Sequence, residues 1–442
     1  MSTKPSLVPI RALKSPVEVP LSRALPIYRS IVGTGVVDQP VIAESSSMIV
    51  LGGFEVLRAL ELLAADLAPT IEVDLSDVEA EPSSLSRIAR AALLGPKLAP
   101  EEVNVRFRRE LPRISPVELE RLRLPEEQSP RLRLRVYEST LELLYRGWPT
   151  PLVRLRSLSS GEVQAWAKLE CYNPFSNSVK DRIGWSMMMR ALREGTLRGA
   201  LYEATSTNTG IALTAIGNVL GARVKLFIPQ TIQRASDVFL RVLGADVVRV
   251  PVNLTIEAVR EVEEVSKRDG AVHLNQFEND ANLEVHLKQT ARELDEQLAS
   301  VGLRPTHVIG GIGTSGHMSA LALYFKSKYR DVKVVGVQPA VGETIPGIRR
   351  KETGMKWIHW VEFDEIVDVT QAEAIEGALR VARGDGLIVG LSSGAVVKAF
   401  EEVSRRDGPG AYVLIFPDSG FKYVEYFERY FTARERAPAG LC

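Results

Sequence analysis

Four short segments carry residue types that could do chemistry together. TSTNTG (205–210), GGIGTSGH (310–317) and GLSSGA (390–395) are rich in glycine and hydroxyl groups, and each reads as a turn between a strand pattern and a helix pattern. Turns of that kind aim backbone N–H groups and the positive end of a helix at an anion. In the first two, the helices are predicted to start near Ile211 and Met318. The fourth segment, NPFSNSVKDR, sets Lys180 after a turn at the start of a helix, beside Asp181 and Arg182. A positive helix end disfavours the ammonium form of a nearby lysine, which suits an amine that must form an imine. Taken singly these features mean little: a glycine turn is often only a turn, and Ser206 or Thr205 alone caps a helix without further function. Three anion-directed turns with one poised lysine make the chemical signal.

The elements that must position them alternate. From about Pro149, short β-rich runs are followed by helical patterns: VQAWAKLE then RIGWSMMMRALREG, ALYEAT then GIALTAIGNVLG, RVKLFIP then SDVFLRVLG, and THVIGGIG then MSALALYFKSKY. DVKVVGVQP and AYVLIFPDSG extend the series to about residue 435. This alternation predicts βαβ units on a mainly parallel sheet, and its length calls for two packed lobes. The beginning of the chain reads as a separate small α/β domain: VEVPLSRAL, a strand VDQPVIAE, a strand SSMIVLGG, a helix FEVLRALELLAADL and a strand TIEVDL. After it come one amphipathic helix between Pro and Gly breaks and the charged, Pro-punctuated stretch PRISPVELERLRLPEEQSPRL. The expected division is therefore a small α/β domain over 1–80, a helical connector over 81–130 and the βαβ unit over 131–442, with a smaller lobe of about 165–275 inserted in a larger one.

Composition narrows the partners. The 442 residues include 55 Lys+Arg and 55 Asp+Glu, so no net charge draws the chain to nucleic acid or to an anionic membrane. Hydrophobic residues at 45% are enough for large cores. Two cysteines, Cys171 and Cys442, form no disulfide framework, which fits a reducing cytoplasm; Cys171 is expected to pack as a small apolar residue. No run long and apolar enough for a signal peptide or membrane span stands out, and the five histidines show no metal-binding spacing.

The motifs, taken in order, resemble those of the fold-type II pyridoxal-phosphate enzymes of the cysteine synthase and cystathionine β-synthase family. WPTPLVRL (148–155), KLECYNPFSNSVKDRI (168–183), TSTNTGIAL (205–213), GGIGTSGHMSA (310–320) and GLSSGA carry the resemblance, over roughly 145–435. It implies pyridoxal 5′-phosphate as cofactor and Lys180 as the Schiff-base lysine that also removes and returns the substrate α-proton. It further implies that Gly313, Thr314, Ser315, Gly316 and His317 hold the cofactor phosphate and that Asn208 binds the ring hydroxyl. Ser392 would set a hydroxyl against the pyridine nitrogen. Thr205, Ser206, Thr207, Thr209 and Gln276 fall to the substrate α-carboxylate, with Thr207 standing where the wider family has glycine. A neutral serine at the ring nitrogen, in place of a carboxylate, favours β-elimination over transamination.

Within that family, NQFENDAN (275–282), IPGIRRKETGM (345–355) and FPDSGFKY (416–423) are most similar to archaeal O-phosphoserine sulfhydrylases. The resemblance implies β-replacement of the phosphate of O-phosphoserine by sulfide through an aminoacrylate, in a cytoplasmic homodimer, with Arg349 on the substrate phosphate. A guanidinium can grip a phosphate dianion with two bonds, and an acetyl ester offers no such charge. O-acetylserine sulfhydrylase or cystathionine β-synthase activity is the alternative reading. A non-catalytic serine or phosphoserine sensor is the alternative of another class, although a binding module has no need of an imine-forming lysine. The amino-terminal segment resembles the ParB/sulfiredoxin-like domain, whose members include free-serine kinases. That family's Asp-Gly-His-x-Arg signature would fall at Gly52, Gly53, Phe54, Glu55 and Val56, so the domain is expected to be catalytically degenerate.

Overall fold

A computed structural model describes residues 5–123 and 135–436; Cys442 and part of the connector lie outside the described residues. The chain divides into two compact units, Met1–Leu134 with Ser327–Arg330, and Arg135–Lys326 with Asp331–Cys442.

The first unit is a four-stranded sheet with helices. Its elements are β1 (Ser6–Pro9), α1 (Leu21–Thr34), β2 (Val41–Glu44), β3 (Val50–Gly52), α2 (Phe54–Leu62), β4 (Leu67–Val73) and α3 (Pro82–Leu93). The strand order is β1-β4-β2-β3, with β2 parallel to β4 and the outer pairings antiparallel. VDQPVIAE is not one strand: Val36–Val37 pairs separately with Val117–Glu118, and Asp38, Gln39 and Pro40 interrupt the run before β2. A proline has no N–H for a ladder, which ends the first piece.

The second unit contains two parallel sheets. Its elements run α4 (Thr140–Arg146), β5 (Leu152–Arg154), β6 (Val163–Leu169), α5 (Lys180–Arg193), β7 (Ala200–Ala204), α6 (Thr207–Leu220), β8 (Arg223–Pro229), α7 (Ala235–Val242), β9 (Asp246–Val250), α8 (Val259–Asp269), β10 (Val272–His273), α9 (Ala281–Val285), a π-helical turn (His286–Ala291), α10 (Arg292–Ser300), β11 (His307–Gly311), α11 (Gly316–Lys328), β12 (Lys333–Pro339), β13 (Glu365–Val369), α12 (Gln371–Asp385), α13 (Leu391–Asp407), β14 (Gly410–Phe416) and α14 (Val424–Arg436). The larger sheet has the order β13-β12-β11-β14-β6-β5, all parallel except β5 at the edge; the smaller, β9-β8-β7-β10, is wholly parallel. The expected α/β class with two βαβ lobes is what the chain adopts. Ala411–Phe416 of β14 is buried throughout, as a parallel strand covered on both faces must be. One core packs α12 and α13 on the larger sheet, and another packs α5 and α6 on the smaller.

Four details differ from the sequence reading. VQAWAKL, expected at the start of the smaller lobe, pairs with β14 in the larger sheet, so the smaller sheet begins at Ala200. α6 starts at Thr207 rather than near Ile211, and Gly210 N–H donates to Ser206 C=O at 3.1 Å, which draws Asn208 and Thr209 into the first turn. α11 starts at Gly316, so His317 is helical. GLSSGA follows a helix, α12, not a strand, and Gly394 lies inside α13. A Cβ there would sit 1.8 Å from the Ala374 carbonyl oxygen of α12, so the glycine serves a close helix crossing, not a turn.

Candidate active site

Lys180 opens α5, and the loop before it is fastened at several points. The buried Asp181 carboxylate accepts the N–H groups of Phe175 (2.8 Å) and Ser176 (2.9 Å) and the Ser176 hydroxyl. Ser178 Oγ accepts Lys180 N–H at 3.1 Å, and Val179 N–H reaches Pro417 C=O at 2.8 Å. Among the described residues the Lys180 ammonium has no hydrogen-bond partner. Burial pushes it down to about 8; Asp418 opposes this and Lys422 adds to it.

Asn208 lies in the first turn of α6 and faces the carboxyl end of β14. Its Nδ2 donates to Asp418 Oδ2 at 2.7 Å, and its Oδ1 accepts from Lys422 Nζ. Asp418 is buried and also accepts the Tyr423 hydroxyl. Lys422 donates further to the carbonyls of Ser176 (2.6 Å) and Asn177 (3.4 Å). Asp418, Lys422 and Tyr423 belong to FPDSGFKY, which the sequence reading used only to recognise a family. A lysine six residues beyond the end of an apolar strand gives no sign in the sequence that it will be buried.

The Gly313–His317 loop forms a cradle at the start of α11. Ser315 has φ +71° and a buried hydroxyl without a hydrogen-bond partner among the described residues. A Cβ on Gly313 would lie 2.7 Å from Gly347 C=O, and one on Gly316 2.5 Å from Asn282 Oδ1, so neither tolerates a side chain without movement. Thr314 Oγ1 accepts from Asn282 Nδ2 at 3.0 Å, which ties the cradle to Gln276, whose carbonyl takes the other Asn282 bond at 2.8 Å. The His317 ring packs edge-to-face on His286, with centroids 4.9 Å apart; burial pushes His317 down to about 4 and His286 well below its usual range, so both are neutral. Ser392, in the first turn of α13, is 2% exposed, and its hydroxyl has no partner among the described residues.

The residues expected on the substrate carboxylate gather at the start of α6 but do not offer it equivalent groups. Ser206 is the N-cap and its hydroxyl makes no capping bond. The Thr205 hydroxyl donates to Ser206 C=O at 3.0 Å, and that of Thr207 is 2.5 Å from Ser236 Oγ, so both are engaged within the protein. Thr209 donates to Gln276 Oε1 at 2.8 Å, and Gln276 Nε2 donates to Ala204 C=O at 3.1 Å.

The two arginines of IPGIRR separate clearly. Arg350 pairs with Asp368 at 2.8 Å and Glu352 at 3.2 Å. Arg349 donates to the Gly313 carbonyl (2.9 Å) and Thr353 Oγ1 (3.0 Å) and lies over the Phe277 ring at 5.1 Å, with no carboxylate partner among the described residues. Burial alone pushes its guanidinium down to about 10. Phe277 and Thr353 were not singled out from sequence. No helix among the described residues is long and apolar enough to cross a membrane, and no group of three or more His, Cys, Asp or Glu side chains among them is arranged to hold a metal ion.

A model of the pyridoxal-phosphate dependent enzymes matches residues 143–418. Cysteine synthase B of Escherichia coli strain K12 is 33% identical over 283 residues, covering 62% of this chain and 91% of that protein. Cysteine synthase B of Pseudomonas aeruginosa is 36% identical over 282 residues, covering 62% and 93%. Among solved structures, a hydrogen sulfide-producing enzyme from Fusobacterium nucleatum superposes with a TM-score of 0.60 at 28% identity, covering 65% of this chain and all of that one. The cradle, Lys180 and both parallel sheets fall within the matched span, and the chain belongs to the fold-type II pyridoxal-phosphate dependent enzymes of the cysteine synthase family, whose cofactor is pyridoxal 5′-phosphate.

Proposed function

We propose that the chain is a cysteine synthase that replaces the phosphate of O-phospho-L-serine with sulfide. The observation that carries the substrate choice is Arg349, a half-buried guanidinium fastened by neutral groups and, among the described residues, left without a carboxylate, beside the Gly313 loop. A cation kept out of water without a counter-ion favours a ligand that brings one, and a phosphate dianion does so where an acetyl ester does not. Arg350 is already neutralised by Asp368 and Glu352 and has no such need.

The residues present fit the cofactor. The orphaned Ser315 hydroxyl, the glycines that leave no room for a side chain and the free N–H groups at the start of α11 suit its phosphate. When bound, pyridoxal phosphate supplies an electron sink that stabilises negative charge on the substrate α-carbon and lets a β-substituent leave. Lys180 holds the cofactor and moves the α-proton at its Nζ; an amine pushed down to about 8 is a usable base near neutrality. Asn208 presents its amide to the cofactor ring. Ser392 offers a neutral hydroxyl, so no fixed negative charge keeps the ring nitrogen protonated. Ser206 and the free N–H groups of the first turn of α6 receive the substrate carboxylate, with Thr209 held in place by Gln276.

The test compares the rate of cysteine formation from sulfide with O-phosphoserine and with O-acetylserine, in the unsubstituted enzyme and in Arg349→Ala. A loss of about 10–100-fold in kcat/KM confined to phosphoserine is expected. Equal loss on both substrates, or none, removes the phosphate reading.

The amino-terminal unit, read as ParB-like, is proposed to be non-catalytic. At the turn from β3 to α2, where phosphoryl transfer would need acidic and basic groups, the residues are Gly52, Gly53 and Phe54, and Glu55 is paired with Arg23 at 2.6 Å. Phosphate transfer from ATP or ADP to free serine would overturn this.

A further inference from the structure

We propose that Lys422 is a positioning residue of this active site: its ammonium binds the loop that delivers Lys180 to the amide that faces the cofactor ring, and it fixes that amide's orientation. The proposal rests on Lys180 being the amine that carries the cofactor. Lys422 is 9% exposed and stands in the short turn Gly420–Tyr423. Its three donors have three destinations: Ser176 C=O at 2.6 Å and Asn177 C=O at 3.4 Å in the loop before α5, and Asn208 Oδ1 at the start of α6. The carboxylate nearest to it, Asp418, is 3.9 Å away, farther than any of these.

This arrangement leaves Asn208 only one orientation. Its Oδ1 faces an ammonium, which can only donate, and its Nδ2 faces Asp418, which accepts at 2.7 Å. A flipped amide would set N–H against ammonium and oxygen against carboxylate. The same Nδ2 also meets the Tyr423 hydroxyl, so Asn208, Asp418 and Tyr423 form one bonded group that Lys422 orients from the Oδ1 side. The same ammonium adds positive charge beside Lys180. Lys180 is faced by Asp418 and Lys422; the neighbouring rings of His286 and His317 are neutral. Lys422 is itself faced by Asp418, Asp181 and the Cys171 thiol, which burial pushes up to about 11 and so keeps uncharged. Burial lowers Lys180 first, and Lys422 works in the same direction.

A merely structural lysine would satisfy two carbonyls and leave Lys180 chemically unchanged, and that difference can be measured. The full chain, stripped of cofactor, is treated with an amine-reactive label at graded pH, and modification of Lys180 is quantified by peptide mass spectrometry. Lys422→Met is expected to move the midpoint of Lys180 labelling up by about one pH unit, so that labelling at pH 7 slows about tenfold, while Lys422→Arg leaves it within twofold. Lys422→Gln, which can still donate to a carbonyl, keeps the test open if the methionine variant does not fold, and the same upward movement is expected of it. Folded Met or Gln variants with an unmoved midpoint overturn the proposal, as does an arginine variant that moves it as far as glutamine does. Because labelling needs no cofactor, its failure is distinct from failure of the functional reading, which shows instead as the absence of a borohydride-reducible link between Lys180 and added pyridoxal phosphate.

Discussion

Two sides of one helix turn face opposite electrostatic conditions. Arg182, two residues beyond Lys180 on α5, is fully buried, and its charge is matched: its guanidinium meets Glu170 at 2.6 and 3.0 Å and Glu293 at 2.7 and 2.8 Å, and lies over the Trp148 ring at 4.8 Å. Lys168 completes the cluster on Glu293, Gln297 and Thr150 C=O. Burial pushes Glu170 up, but Arg182, Lys168 and Thr150 outweigh it and hold the carboxyl at about 2. On the other side, among the described residues, Lys180 has no hydrogen-bond partner, the Ser315 and Ser392 hydroxyls make no hydrogen bond, and Arg349 has no carboxylate partner. The saturated side holds the larger sheet to α5 and α10. The unsaturated side is left to be completed by ligands, and its cost in folding is what makes it receptive.

The largest expected effect breaks the unsaturated side. Lys180→Ala should reduce cysteine formation by at least about 10³-fold while leaving the melting temperature of the cofactor-free chain unchanged or slightly raised, because it removes a half-buried amine that has no hydrogen-bond partner among the described residues. A matching fall in melting temperature would place Lys180 with the structural group. The saturated side should respond in the reverse sense. Arg182→Met leaves Glu170 buried without its counter-ion, and urea unfolding should show a loss of about 3–5 kcal/mol. Adding Glu170→Gln to that variant should recover part of the loss; if it recovers none, the pairing is not what stabilises the cluster.

Arg349 and Arg350 repeat the contrast within one loop. Against the phosphoserine-specific loss expected for Arg349→Ala, Arg350→Ala should leave the ratio of phosphoserine to acetylserine rates within about twofold, since its charge is already answered by Asp368 and Glu352. A shift of that ratio with Arg350 would reassign the phosphate site.

How much of this could be read from the residues depended on whether a local pattern carried it. The alternation of strand and helix, the lysine at a helix start and the glycine loops are local, and they led to the α/β class, the cofactor and the cradle. The partners that decide the chemistry are not local. Lys422 and Asn208 are 214 residues apart, and Arg182 and Glu293 are 111 apart, joined only by the crossovers of two sheets. Helix starts were misplaced for a related reason: Asn, Thr and Gly have turn character in isolation, yet here Thr207–Gly210 is buried and hydrogen-bonded into the first turn of α6. Gly394 has the look of a turn glycine because nothing in its neighbours tells that another helix will cross it.

Glu203 stands between the two conditions and offers the smallest, most graded prediction. It is fully buried at the end of β7, accepts the N–H groups of Asn275 at 3.0 Å and Gln276 at 3.1 Å, and among the described residues has the neutral His273 as its nearest basic group, at 3.8 Å. Burial pushes its carboxyl up to about 7, more than those N–H groups pull it back. In the unfolded chain it would ionise near about 4.3. Between these values the folded state holds the proton more tightly than the unfolded state, so its contribution to stability is present below the lower value and is lost as pH rises through about 7. Glu203→Gln should abolish that slope. Urea unfolding between pH 5 and pH 8 should find the unsubstituted chain losing roughly 1–3 kcal/mol more than the variant. Because the same carboxyl supports Gln276, a rise in the phosphoserine KM over that pH range, absent from the glutamine variant, would tie this buried charge to the substrate side of the comparison; equal slopes in both proteins would leave it with neither.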